Sequence, residues 1–251
     1  MLICILITLL SCIDSGSQLI YHEVFRDDFN GGRVDTAKWN IVDKPSNVNN
    51  ELEYYSRDDV WQEHGFIFLR ARKREVEGRK YTSGRVDTRH KFELFYGEVE
   101  WRVKLPKGKG LWPALWLVQR DCPAAEPCDT WPPEIDVLEA RGDKENRVTF
   151  AVHYGKYPHN DYTLKAFDGP NFTDDFHTFK IIWDPNQVVW FVDGVQKVRV
   201  TDKKKIPAEP MHLVMNLAVG GNYAGYSPDE STPFPAHFII DYVTVHRWQG
   251  A

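Results

Sequence analysis

The chain has 251 residues, 42% hydrophobic and 27% charged, which is enough apolar material for a folded core and excludes disorder as the default state. Its net charge is −5 and its one basic run, Lys203-Lys204-Lys205, is short enough to be a solvated turn, so nucleic acid is excluded as a partner. Aromatic residues reach 14%, with nine Trp, an excess that calls for a role beyond packing.

Residues 1–17 read as a secretory signal peptide. Leu2 to Leu10 are apolar apart from Thr8, and Ser15 and Ser17 are small residues suited to cleavage before Gln18, although no Lys or Arg occurs before Arg26. The stretch is too short to span a bilayer, and no later stretch is long and apolar enough to do so. The expected product is a secreted protein of one domain, residues 18–251, with no membrane partner and a monomeric state. Removing the signal takes away Cys4 and Cys12 and leaves Cys122 and Cys128, a pair that an oxidising compartment would close into a disulfide.

Along the rest of the chain a period of two dominates. Ile67, Leu69 and Ala71 alternate with Phe68, Arg70 and Arg72; Val99, Trp101, Val103 and Leu105 alternate with Glu98, Glu100, Arg102 and Lys104. Further strand-like runs are Arg147 to Tyr154, Phe179 to Trp183, Val188 to Val192, Met211 to Val219 and Phe238 to Trp248, and Asp193-Gly194 reads as a tight hairpin turn. No window has the pattern of an amphipathic helix, and Gly and Pro punctuate the runs. This is the signature of an all-β sandwich or barrel. Asn171-Phe172-Thr173 is a glycosylation sequon, relevant in a eukaryotic secretory pathway.

The segment Trp131-Pro132-Pro133-Glu134-Ile135-Asp136-Val137-Leu138-Glu139-Ala140 carries the chemistry. On a plain strand Glu134 and Asp136 share a face and Glu139 points the other way. One extra residue, a bulge between Asp136 and Glu139, would bring all three to one face. Crowded carboxylates have divergent pKa values, so one stays protonated while another stays ionised. Glycoside hydrolysis needs that combination. Carboxyls about 5–5.5 Å apart imply retention through a covalent intermediate, with Asp136 tuning the pair.

At these residues the chain resembles family 16 glycoside hydrolases, in the laminarinase-like form of the signature Glu-Ile-Asp-Val-Leu-Glu. The likeness extends through Tyr81 to Arg85, Leu105 to Trp116, His153-Tyr154-Gly155, Asn216 to Asn222 and Asp241-Tyr242-Val243. The resemblance implies a concanavalin A-like β-jelly-roll sandwich of two antiparallel sheets with a cleft on the concave one. It implies Glu134 as nucleophile, Glu139 as acid/base, Asp136 as helper and His153 beside them. It places Asn50 and Glu51 on the non-reducing side of the cleft and puts Asn222 and Tyr223 on its wall. It also implies a structural calcium, for which Asp27, Asp28 and Asp241 are the oxygen donors in matching regions. No other cofactor is required.

Trp112, Trp116 and Trp131 flank the catalytic segment and are the candidates for stacking on sugar faces; Trp101, Trp183 and Trp190 belong in the core. Arg85 is read either as a donor to a sugar hydroxyl or as half of an ion pair. Few basic residues accompany the cleft motifs, so a neutral β-1,3-glucan is the expected substrate, ahead of mixed-linkage β-1,3-1,4-glucan and sulfated galactans. A transglycosylase, a non-catalytic β-glucan-recognition protein and a lectin-like sandwich are the alternatives.

Overall fold

The computed structural model describes residues 21–123, 126–128 and 130–248. The expected signal peptide, residues 1–17, lies outside them. In chain order the strands are β1 (Tyr21–Asp27), β2 (Asn40–Ile41), β3 (Lys44–Pro45), β4 (Glu53–Tyr55), β5 (Val60–Glu63), β6 (Phe66–Ala71), β7 (Tyr81–Ser83), β8 (Arg85–Asp87) and β9 (Gly97–Lys104). They continue as β10 (Leu111–Gln119), β11 (Glu134–Ala140), β12 (Arg147–Tyr154), β13 (Asp161–Asp168), β14 (His177–Asp184), β15 (Gln187–Val192), β16 (Val195–Val200), β17 (Met211–Val219) and β18 (Ala236–Trp248). The one α-helix among the described residues, α1 (Gly221–Ala224), is a single turn.

Two large antiparallel sheets face each other. One runs β16-β15-β14-β9-β18-β6-β5 with β1 added against β18; the other runs β13-β12-β11-β10-β17-β8-β2. The period-two pattern explains the sandwich. Val99, Trp101 and Val103 of β9 and Phe179, Ile181 and Trp183 of β14 point inward from the first sheet. Leu213, Met215 and Leu217 of β17 and Val148, Phe150 and Val152 of β12 meet them from the second, and all are buried in one core. The alternate residues of the second sheet form its outer face, where the cleft lies. Asp193 and Gly194 have φ of 49° and 73° and turn β15 into β16, as the Asp-Gly pair demands.

The catalytic segment departs from plain alternation where the acids required it to. The pairing of β11 with β12 shifts register between Asp136 and Glu139. Ile135, Val137, Leu138 and Ala140 all enter the core, two of them consecutive. The residues left on the outer face are Glu134, Asp136 and Glu139. Across the core, the indole Nε1 of buried Trp190 donates to the backbone oxygen of Asp136 at 2.8 Å, at the start of the bulge. A bulge disrupts the ladder locally, and a buried carbonyl there needs a partner from elsewhere.

Trp190→Phe keeps an aromatic ring in the core but removes that donor. It is expected to cost about 1–3 kcal/mol, read as a lower guanidinium unfolding midpoint at unchanged m-value.

Candidate active site

Strand register builds the centre of the cleft row by row. Glu134 stands opposite Val118 on β10 and His153 on β12; Asp136 stands opposite Trp116 and Ala151; Glu139 stands opposite Ala114 and Thr149. The three acids and His153 line a cavity of about 690 Å³ on the outer face of the sheet. Its β8 end is lined by Val48, Asn49, Glu51 and Arg85, and its β13 end by Tyr157, Asn160, Tyr162 and Leu164.

Each acid has its own partner. Trp131 Nε1 donates to Glu134 Oε2 at 3.1 Å, and Trp112 Nε1 donates to Glu139 Oε1 at 3.0 Å. His153 Nε2 lies 3.0 Å from Asp136 Oδ2 and 3.5 Å from Glu134 Oε1. Burial pushes Glu134 up, and the charge of Asp136 adds to this. His153, the Trp131 N–H and Arg85 pull it back, leaving it at about 8. Glu139 is pushed well above the carboxylate range by burial and by the charges of Asp136 and Glu134, against the weaker pull of His153 and Trp112. Burial lowers His153, but its hydrogen bond to Asp136 and the charges of Glu134, Asp136 and Glu139 outweigh that and raise it to about 9.

Glu134, Asp136 and His153 present ligand atoms within 4.8 Å of one another. Metal binding needs a neutral imidazole. In the described structure the imidazole is paired with the carboxylates, at 3.0 Å from Asp136 and 3.5 Å from Glu134.

The other predicted residues divide. Trp112, Trp116 and Trp131 all line the cleft, but their N–H groups are committed: two to the acids, and that of Trp116 to Asn216 Oδ1 at 2.8 Å. Trp101, Trp183 and Trp190 are core residues. Arg85 is 2% exposed and has no carboxylate partner among the described residues, so its ion-pair alternative falls. It lies over the rings of Tyr55 and Trp116 at 5.3 and 4.9 Å, and its Nε and Nη2 find no acceptor. Glu51, Asn222 and Tyr223 line the cleft. Asn50 does not. It stands behind the wall, donating to Asn222 Oδ1 at 2.8 Å, while its neighbour Asn49 faces the cavity.

Cys122 and Cys128 are joined as a disulfide, and both line the cleft. Asn171 is half-buried and its Nδ2, the atom a glycan would use, donates to Glu145 Oε2 at 2.9 Å. The calcium expectation needs correction. Asp27 accepts from Phe29 N at 3.0 Å and Trp39 Nε1 at 2.8 Å, Asp28 pairs with Arg26 at 2.8 Å, and Asp241 pairs with Arg102. The three do not form a ligand cluster among the described residues, so they do not fit the ion.

Sequence reasoning missed the β13 end. β13 is an edge strand with mostly exposed side chains, so no burial pattern marks it. Tyr162 nonetheless stacks on His153, with ring centroids 5.6 Å apart. The polar and aromatic character of Asn160 and Tyr162 beside the predicted β12 was the available signal.

The sequence model of glycosyl hydrolases family 16 matches residues 53–243. The chain is 35% identical to a beta-glucanase of Rhodothermus marinus over 90% of its own length and 85% of that protein. It is 33% identical to glucan endo-1,3-beta-glucosidase A1 of Niallia circulans over 90% of its length, but spans only 38% of that longer protein. Among solved structures, the endo-beta-1,3-glucanase from Pyrococcus furiosus superposes with a TM-score of 0.81 at 32% identity, covering 92% of this chain and 96% of that one.

Because His153 lowers Glu134 electrostatically, His153→Ala should raise the Glu134 pKa. The acidic limb of the kcat/KM profile is expected to move to higher pH by about one to two units. An unmoved limb in the variant would separate His153 from the titration.

Proposed function

The chain belongs to glycosyl hydrolase family 16, and on that premise we propose that it is an endo-acting, retaining hydrolase of β-1,3-glucan, with Glu134 as nucleophile and Glu139 as acid/base. The observation that carries this reading is the register shift between Asp136 and Glu139, which sets both glutamates and Asp136 on one cleft face. Glu139, pushed well above the carboxylate range by burial and the neighbouring acids, is suited to hold a proton, and His153 beside Glu134 favours the carboxylate form of that residue.

In the first step Glu139 gives its proton to the glycosidic oxygen while the Glu134 carboxylate attacks the anomeric carbon. The glycosidic bond breaks, the aglycone leaves as an alcohol, and a glycosyl ester of Glu134 forms. In the second step Glu139, now a carboxylate, takes a proton from water. The resulting hydroxide attacks the same carbon and frees Glu134. Asp136 holds His153 by the 3.0 Å contact, and the imidazolium steadies the charge of Glu134 between turnovers.

Neutral glucan suits the lining. The cavity walls carry Trp112, Trp116, Trp131, Tyr157, Tyr162 and Tyr223 for the apolar faces of sugar rings, and Arg85 is the one Lys or Arg among the lining residues. Arg85, which lines the cavity at its β8 end, is the residue we assign to a sugar hydroxyl. The Cys122–Cys128 bridge fits the oxidising compartment that an exported protein enters.

The test is reducing-sugar release from laminarin, lichenan, agarose and carrageenan. Laminarin is expected to be the best substrate. Glu134→Gln and Glu139→Gln are each expected to lower kcat by on the order of 10³ at unchanged melting temperature. Activity retained in both variants, or no release by the wild type, would overturn the assignment.

A further inference from the structure

The β8 end of the cleft rests on a hydrogen-bond chain that the double displacement does not use. Trp116 Nε1 donates to Asn216 Oδ1 at 2.8 Å. The other arm of that amide, Nδ2, donates to the Tyr55 hydroxyl at 3.1 Å, and the hydroxyl donates to Glu51 Oε2 at 3.2 Å. Ser46 Oγ at 2.6 Å and Asn49 Nδ2 at 3.2 Å complete the shell of Glu51. Trp116, Asn216 and Glu51 face the cavity. Tyr55 does not: it is 0% exposed and lies beneath them.

We propose that Tyr55 is a positioning residue for saccharide binding, whose buried hydroxyl joins Asn216 to Glu51 and thereby fixes Trp116 and Glu51 at the β8 end of the cleft. The inference rests on the reading of the cleft as a glucan site.

The direction of the chain follows from donor and acceptor inventories. Indole N–H can only donate, so Asn216 must offer its oxygen to Trp116 and its nitrogen to Tyr55. The Tyr55 oxygen receives that bond and turns its own proton to Glu51. One amide flip would set donor against donor at Trp116, so the orientation is fixed rather than shared between two states. Nearby Glu53, fully buried and accepting from Val219 N at 2.8 Å, is pushed well above the carboxylate range by burial and the charge of Glu51. The Tyr55 ring also carries Arg85, whose guanidinium is stacked 5.3 Å from it. Side chains fixed before binding lose no rotamer freedom when a sugar arrives, which improves affinity without touching the chemical step.

Tyr55→Phe removes the hydroxyl and keeps the ring under Arg85. The expected result is a KM for laminarin raised about three- to tenfold, the worth of one buried hydrogen bond, with kcat within about twofold of wild type. The same loss should appear in the Kd for laminarihexaose, measured calorimetrically on a Glu134→Gln background. In a double-mutant cycle, Tyr55→Phe should add little to the KM of Glu51→Gln, because both act through one chain. Unchanged KM and Kd, a fall in kcat alone, or full additivity would overturn the proposal. Should Tyr55→Phe melt below the assay temperature, Asn216→Leu cuts the same chain. It is expected to give the same KM rise, and an unchanged KM there overturns the proposal too. A wild type that binds laminarihexaose in a Tyr55-dependent way but cleaves nothing would sink the hydrolase reading and leave Tyr55 standing. A wild type that cleaves laminarin with a Tyr55-independent KM would do the reverse, and one that neither binds nor cleaves would sink both.

Discussion

The molecule turns on one hydrogen bond across its core, from the Trp190 indole to the Asp136 carbonyl. Plain alternation would send Glu139 into the apolar interior, and an ionisable group there would be very costly. The bulge avoids that by spending two successive residues, Val137 and Leu138, on the core side. The register of the whole outer face then follows: Trp116, Ala114 and Thr149 fall beside the acids because β10 and β12 pair with a bulged strand. Trp190 comes from the opposite sheet, so the interlayer packing that stabilises the sandwich is also what holds the catalytic strand out of regular form.

The cleft concentrates three carboxylates and relieves the repulsion unevenly. Glu134 has one opposing acid, Asp136, with His153 within 3.5 Å and an indole N–H on its carboxylate, whereas Glu139 has an indole N–H, a weaker pull from His153 and two acids opposing it. Two chemically identical side chains therefore stand in unlike surroundings. The catalytic indoles thus have a double use: their rings shape the cavity and their N–H groups hold the carboxylates.

Much of this was legible in the sequence. The acids and their need for a bulge followed from residue spacing, because strand alternation is strict enough that an exception is informative; the disulfide followed from the cysteine pair, and the choice of a sandwich over a barrel came with the family resemblance. What escaped did so for physical reasons. The roll of Asn50 and Asn49 depends on loop conformation, with both residues at positive φ of 57° and 54°, and no periodicity governs that. The edge strand β13 has no buried face to announce it. The aspartates offered for calcium were chosen by residue type and place along the chain, and each turned out to be engaged by an indole, a main-chain amide or an arginine. Tyr55 carries no catalytic signature at all, since its part is set by contacts across 161 positions of sequence with Asn216.

The stretch from Leu111 to Tyr154 holds the consecutive strands β10, β11 and β12 and supplies both glutamates, the aspartate, the histidine and the three cleft tryptophans, Trp131 from the connection between β10 and β11. The residues that line the β8 end of the cavity come instead from separate stretches around Val48 to Arg85 and Asn216 to Tyr223. The acids are therefore encoded in one stretch of the gene and the walls of the β8 end in two others. An exchange at the second set alters the walls of that end and leaves the acid-bearing stretch as it stands.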